Sequence, residues 1–145
     1  MTKNYKIIAQ FIKDMSSETP DVETYMHVRD NISKYQLGIN IDSKAIKNQI
    51  IEVDTKISFL DKEENTKKSI FEFIYTSIIK VDEKIKERNI LEKIVLVEVQ
   101  NEIYPNIEKT LLNLLHNSGY PAIKIEKNID FNELYKQSFL KKYTV

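Results

Sequence analysis

The chain has 145 residues, the usual size of one domain, so residues 1–145 are expected to form a single domain. Its 22 Lys and Arg residues balance 22 Asp and Glu residues, and zero net charge removes the overall attraction on which binders of nucleic acid or anionic membranes rely. The absence of cysteine excludes disulfides, thiolate zinc sites and cysteine nucleophiles.

The first part of the chain is expected to be a strand followed by a long loop. Tyr5–Ile12 alternates loosely, as a half-buried strand does. One face of that strand carries Tyr5, Ile7, Ala9 and Phe11. Met15–Lys34 collects Ser, Pro, Asp and Asn with few apolar residues, which predicts a long connection. Loops of that length in a small domain are usually functional.

Three more segments predict the remaining strands of an antiparallel sheet. Leu37, Ile39 and Ile41 alternate with polar residues and indicate a second strand. Ile51–Phe59 alternates regularly, so the third strand has one apolar and one wet face. After a charged turn, Ile70–Val81 is expected to pair back as a hairpin. Both faces of this fourth strand are largely apolar, which fits a buried central strand or an exposed apolar surface that binds a partner.

The second half of the chain predicts helices. Ile90–Gln100 fits a helix as well as a strand. A clearer helix is expected to begin at Pro105 and to end at Gly119, because apolar residues recur between them at helical spacing. Its apolar stripe is broad, which fits a subunit interface and a wide core equally. Asp130 and Glu133 form a pair like a capping box and predict a short last helix.

The titratable residues predict no catalytic or metal site. His27 and His116 lack carboxylates at metal-ligand spacing, so both are interpreted as surface residues. With two glycines, the chain has no glycine-rich phosphate loop, and no serine lies in a nucleophile elbow. We therefore expect a binding protein without enzymatic activity, metal or cofactor. The sequence has no long apolar span, so direct membrane insertion is not expected and cytoplasm is the default location.

Three short motifs follow one another along the chain. The first is Phe11–Pro20, FIKDMSSETP. The second is Tyr104-Pro105, followed by a helix that ends in Asn117–Pro121, NSGYP. The third is Ile129–Tyr135, IDFNELY. In their order and spacing, the three motifs resemble those of the SecB family of bacterial export chaperones.

The resemblance implies an α+β fold in which a four-stranded antiparallel sheet is followed by two helices, assembled as a dimer of dimers. It also implies an ATP-independent holdase, a homotetramer whose long apolar grooves bind unfolded preproteins and which delivers them to the SecA motor. We expect a groove lined by Leu37, Ile39, Ile41, Phe131 and Tyr135, all of which also fit an ordinary core. The acidic contact for SecA carries over to Asp14, Glu18, Ile70 and Glu72.

A second hypothesis is a SecB-like interaction module, or a solitary chaperone dedicated to one partner such as the antitoxin of a toxin–antitoxin system. SecB-family proteins are typically acidic and carry an acidic extension at the C-terminus. This chain is neutral and ends in Lys141–Val145, just past the predicted last helix. The two hypotheses share the fold and differ in the range of clients.

Overall fold

Four long strands form one antiparallel sheet. The computed structural model describes residues 3–63, 67–121, 123–124 and 129–136. In chain order its first elements are β1 (Tyr5–Glu18), α1 (Val22–Asn31), β2 (Gln36–Lys47), β3 (Ile50–Leu60) and β4 (Ile70–Val81). The strands lie in the order β1-β4-β3-β2, and every neighbouring pair is antiparallel. The predicted α+β fold with a four-stranded antiparallel sheet is therefore confirmed, with β1 and β2 as its edge strands.

One continuous helical segment covers the inner face of the sheet. It consists of α2 (Arg88–Lys93), a π-helical segment (Ile94–Glu98) and α3 (Val99–Asn117). Ile90–Gln100, whose sequence fits a helix as well as a strand, is thus helical. The expectation that a helix begins at Pro105 is wrong, because Pro105 lies inside α3. Burial of its neighbours Ile103 and Ile107 against the sheet outweighs the backbone hydrogen bond that proline cannot make.

The core lies between this helical segment and the inner face of the sheet. Alternate β4 residues point into it, because side chains on a strand alternate between faces. They are Phe71, Phe73, Tyr75, Ser77, Ile79 and Val81, all buried. α3 contributes a stripe at helical spacing, namely Ile103, Ile107, Leu111 and Leu115. The inward side chains of β4 are buried because β4 is a central strand. On its outer face, Ile70, Ile74 and Ile78 stay half-buried.

β1 is longer than expected and contains two irregularities. Its pairing with β4 shifts by one residue between Ile7 and Ala9, and again between Ile12 and Asp14. A bulge of one residue moves all later side chains to the opposite face. The prediction that Ala9 and Phe11 share a face with Tyr5 and Ile7 is therefore wrong.

The predicted loop from Met15 to Lys34 is also wrong, since it contains the end of β1, α1 and a short 3₁₀ turn. Asp21 caps α1, and its Oδ1 accepts a hydrogen bond from the Thr24 backbone N–H at 2.7 Å. Thr24 and Val28 are the buried residues of this helix. Because so few residues of α1 face the core, its hydrophobic periodicity is weak. Its polar composition resembles that of a loop, which is why the sequence predicted a loop there.

Two predicted helix boundaries, Gly119 after α3 and Asp130 before the last helix, are confirmed. Gly119, just after α3, has a φ of 107°, a conformation that favours glycine. The Asp130 Oδ1 atom accepts a hydrogen bond from the Glu133 backbone N–H at 3.2 Å, and residues 131–136 are helical. His27 on α1 and His116 on α3 are both exposed, as predicted.

Candidate functional site

A large groove of about 1420 Å³ runs over the inner face of edge strand β2. Leu37 and Ile39 of β2 form one wall. The C-terminal end of α1 contributes Arg29, and the residue after α1, Ile32, also lines the groove. The remaining lining residues include Tyr35, Phe59, Leu111, Tyr120, Pro121, Ile123, Ile129 and Leu134. The groove is thus mostly apolar, with charges at its rim.

Tyr35, Phe59 and Tyr120 form the aromatic floor of the large groove, and the fully buried ring of Phe71 packs beneath them. The ring centroids of Tyr35 and Phe59 are 5.5 Å apart, those of Tyr35 and Phe71 are 6.1 Å apart, and Phe71 meets Tyr120 edge-on at 5.8 Å. Burial raises the pKa of both Tyr35 and Tyr120, so their hydroxyls are neutral. The Tyr35 Oη atom accepts from the Ser69 backbone N–H at 3.0 Å. This floor therefore presents uncharged rings of fixed orientation.

A small groove of about 620 Å³ continues along the same strand. Ile41, Ser43 and Ala45 line it from β2, and these are the next inward positions after Leu37 and Ile39. The opposite wall comes from α2 and the π-helical segment, with Arg88, Leu91, Glu92, Val95 and Leu96. Arg88 Nε lies 3.1 Å from Glu92 Oε1 and places an ion pair at the rim.

The helical residues 131–136 lie between the two grooves. Leu134 lines the large groove and Tyr135 the small one. Phe131 is 2 % exposed and packs edge-on against Tyr104 at 5.7 Å, so it anchors this turn. Four of the five predicted groove residues therefore line a groove, while Phe131 belongs to the packing beneath. The sequence did not single out Arg29 or Leu91 as groove residues, because α1 was not predicted and the segment that contains Leu91 was left open between helix and strand.

The outer face of the sheet brings together the four residues of the predicted acidic contact. On β1, Asp14 pairs with Ile74 of β4, and Glu18 pairs with Ile70. Glu72 lies between these rows on β4, opposite Ser16. Glu72 Oε2 is 3.4 Å from Lys56 Nζ of β3. Two carboxylates from β1, one from β4 and an isoleucine thus share one face.

A second charged group lies beside this patch. Lys13 Nζ of β1 is 2.8 Å from Glu52 Oε2 and 3.3 Å from Asp54 Oδ2, both on β3. The Thr76 hydroxyl donates to Asp54 Oδ1 at 2.8 Å. Partial burial acts to raise the pKa of Asp54, but hydrogen bonds, Thr76 first among them, and the charge of Lys13 hold that pKa below its ordinary value. Glu52 and Asp54 raise the pKa of Lys13.

Neither a metal centre nor a membrane span is found in the part of the chain that the structure describes. No three His, Asp or Glu side chains in these residues are grouped as metal ligands would be. None of the described helices is long and apolar enough to cross a bilayer.

Comparisons with known proteins agree with the resemblance seen in the sequence. The family model described as preprotein translocase subunit SecB matches residues 1–142. The chain belongs to the SecB family. It is 63 % identical to a SecB relative from Pelagibacter ubique over 94 % of this chain and 98 % of the relative. It is 22 % identical to the protein-export protein SecB of Bartonella bacilliformis, over 92 % of this chain and 82 % of that one.

A solved structure shares the fold. A SecB-like chaperone of Mycobacterium tuberculosis, in complex with an antitoxin peptide, has a TM-score of 0.63 at 10 % identity. The match covers 86 % of this chain and 91 % of that one.

SecB-family proteins are chaperones of protein export that bind client polypeptides, and they are not enzymes. The chain is accordingly a SecB-family chaperone, which agrees with the binding protein expected from its sequence.

Proposed function

We propose that the protein is a cytoplasmic, ATP-independent holdase, which keeps preproteins unfolded in its β2 grooves and passes them to the SecA motor. The observation that carries the proposal is the pair of apolar grooves along one edge strand. From Leu37 to Ala45, inward side chains line one groove or the other. At about 3.4 Å per residue, this stretch matches roughly eight residues of extended chain. An extended client can therefore make many weak apolar contacts, which suits unrelated sequences.

Aggregation of an unfolded client tests the groove. Ile39→Thr keeps the β-branched shape and introduces a hydroxyl on the groove wall. Ile78→Thr makes the same change on the outer face of the sheet and serves as the matched control. We expect stoichiometric wild-type protein and Ile78→Thr to suppress light scattering, and Ile39→Thr to suppress it several-fold less. A folded wild type that suppresses no scattering would contradict the holdase function.

For the motor contact, we propose the outer-face patch formed by Asp14, Glu18, Ile70 and Glu72. Within the described residues, neither Asp14 nor Glu18 has an ion-pair partner, so their charges are available to a basic surface. Neutralising both, as Asp14→Asn with Glu18→Gln, is expected to weaken SecA binding about tenfold and to reduce its salt dependence. Asp42→Asn, also on the outer face but on β2, is the control. Equal affinity of both variants would exclude this patch.

We also propose that residues 1–145 form one SecB-like domain and that four chains assemble as a dimer of dimers. The exposed apolar residues of edge strand β1 support this assembly, because an unpaired apolar edge favours pairing with another chain. They are Ile8, Phe11, Ile12 and Met15, each at least 39 % exposed in the single chain. Native mass spectrometry is expected to give four chains, and a stable monomer would refute the assembly.

A chaperone dedicated to one partner is the second candidate. The structural likeness to a SecB-like chaperone in complex with an antitoxin peptide favours it, as does the neutral charge of this chain. Affinity capture from a lysate of the source organism separates the two functions. Many unrelated preproteins support the general holdase, whereas one recurrent partner supports the dedicated chaperone.

A further inference from the structure

The second bulge of β1 decides which side chains reach the acidic face. Before it, Ile12 pairs with Tyr75 on the inner face, and after it Asp14 pairs with Ile74 on the outer face. Lys13 is the extra residue between these pairs. Strand alternation has a period of two, so without the extra residue Asp14 and Glu18 would turn inward, towards the helices. The acidic patch on β1 therefore exists only while this bulge is in place.

Lys13 connects the bulge to the rest of the sheet. Its ammonium group reaches from β1 over the neighbouring strand β4 and meets Glu52 and Asp54 on β3, at 2.8 and 3.3 Å. Asp54 is in turn held by the Thr76 hydroxyl of β4 at 2.8 Å. Three strands are thus joined at the residue that has no pairing partner in the second bulge of β1.

We propose that Lys13 is a positioning residue for the acidic face, because its ion pairs to β3 hold the bulge that turns Asp14 and Glu18 outward. This inference rests on the proposed motor contact. Lys13 itself makes no contact with the motor in this scheme. It acts through the backbone of β1, and the partner that benefits is a basic surface on SecA.

Removal of the Lys13 charge affects the binding of a basic partner in two ways, directly through electrostatics and indirectly through the bulge. Removing the ammonium group leaves Glu52 and Asp54 without their cation and makes the sheet face more acidic. Electrostatics alone therefore predicts tighter binding of a basic partner when Lys13 is neutralised. Loss of the bulge predicts weaker binding, since Asp14 and Glu18 leave the face. The two explanations differ in sign.

The experiment compares Lys13→Met with Lys13→Arg and Lys56→Met in the full-length protein, by titration with SecA. Lys56 of β3 is a matched control, because its ammonium group also pairs with a carboxylate of this face, Glu72, but it joins β3 to β4 and not to the bulged strand β1. We expect Lys13→Met to bind SecA about tenfold more weakly and Lys13→Arg to bind like the wild type. Lys56→Met is expected to bind as tightly as the wild type or more tightly. Unchanged or tighter binding by Lys13→Met would overturn the proposal.

A second readout does not depend on SecA. In a crystal structure of Lys13→Met, the bulge is expected to be absent or displaced, with Asp14 no longer opposite Ile74. An unchanged register overturns the positioning role, even where SecA binds none of the proteins and the motor contact itself fails. If Lys13→Met does not fold, Asp54→Asn replaces it, because it weakens the ion pair of Lys13 and can keep a hydrogen bond to Thr76. The same changes in register and affinity are then expected.

Discussion

Gln100 and Thr55 form a buried polar pair under the helical segment, and this pair gives the sharpest stability prediction. Both side chains have 0 % exposure. The Gln100 side-chain amide donates to the Thr55 hydroxyl at 3.0 Å and to the Val95 carbonyl at 3.4 Å. The hydroxyl also lies 3.2 Å from Gln100 Oε1. The pair thus joins β3 to the π-helical segment, whose Val95 lines the small groove.

The perturbation is a double-mutant cycle with Thr55→Val and Gln100→Leu. Each single substitution leaves a buried polar group of the partner without its hydrogen bond, which costs about 2 kcal/mol of unfolding free energy. The double variant replaces both groups by apolar ones of similar shape, and it is expected to lose about 1 kcal/mol or less. The two sites are therefore coupled by about 3 kcal/mol.

Urea unfolding followed by far-ultraviolet circular dichroism measures the cycle, at one protein concentration because assembly adds to the apparent stability. The chain has no tryptophan, so the peptide signal is the better probe. Additive losses, with a double variant about 4 kcal/mol less stable than the wild type, would refute the reasoning. That result would mean that Thr55 and Gln100 contribute through separate contacts.

Three more substitutions have defined outcomes. Ser77→Ala is expected to stabilise the protein by about 1 kcal/mol in the same unfolding assay, because the buried Ser77 hydroxyl has no hydrogen-bond partner among the described residues. Tyr25→Phe removes the bond from the Tyr25 hydroxyl to the Gly119 carbonyl at 2.9 Å, so the amides of α1 should exchange hydrogen faster. Asp54→Asn should reduce the loss of unfolding free energy that accompanies a fall in pH from 7 to 3. The lowered pKa of Asp54 gives stability that is present above about pH 4 and is lost as pH falls through the folded-state pKa.

Each of these predictions has an outcome that contradicts it. A destabilised Ser77→Ala would show that packing around the hydroxyl outweighs its missing partner. Faster exchange throughout the sheet in Tyr25→Phe would mean global loss of stability instead of a loosened α1. Equal losses of stability between pH 7 and pH 3 in the wild type and Asp54→Asn would remove Asp54 from the acid response.

The sequence predicted the central part of the fold because its signals there are periodic. Alternation in Ile51–Phe59 follows from one buried and one wet face, and β3 spans this range. Gly119 and Asp130 were predictable because helix ends select for specific residues. By contrast, the π-helical segment is buried on several sides, with Ile94, Val95 and Val97 all in the core, so no single periodicity is visible.

The bulges of β1 could not be predicted for a different reason. A bulge is set by pairing with β4 and by contacts that lie far along the chain, such as Lys13 with Glu52. Local alternation, read without the register shift between Ile7 and Ala9, assigns Phe11 to the wrong face. The same limit applies to the groove. Leu37, Ile39 and Ile41 alternate in sequence, but their apolar face becomes a groove wall only because residues 131–136 and α2 stand opposite.

Zero net charge does not argue against an acidic contact face, because the positions of the charges decide what a partner meets. On the outer face, Lys13 pairs with Glu52 and Asp54 and offsets one of their two charges, and Lys56 pairs with Glu72. The β1 carboxylates Asp14 and Glu18 have no such cation within the described residues. Screening confines each charge to about 8–10 Å at physiological salt, so a partner docking on β1 meets these two acids and not the chain's average. A neutral chaperone can therefore keep a local acidic contact, provided that the bulge presents it.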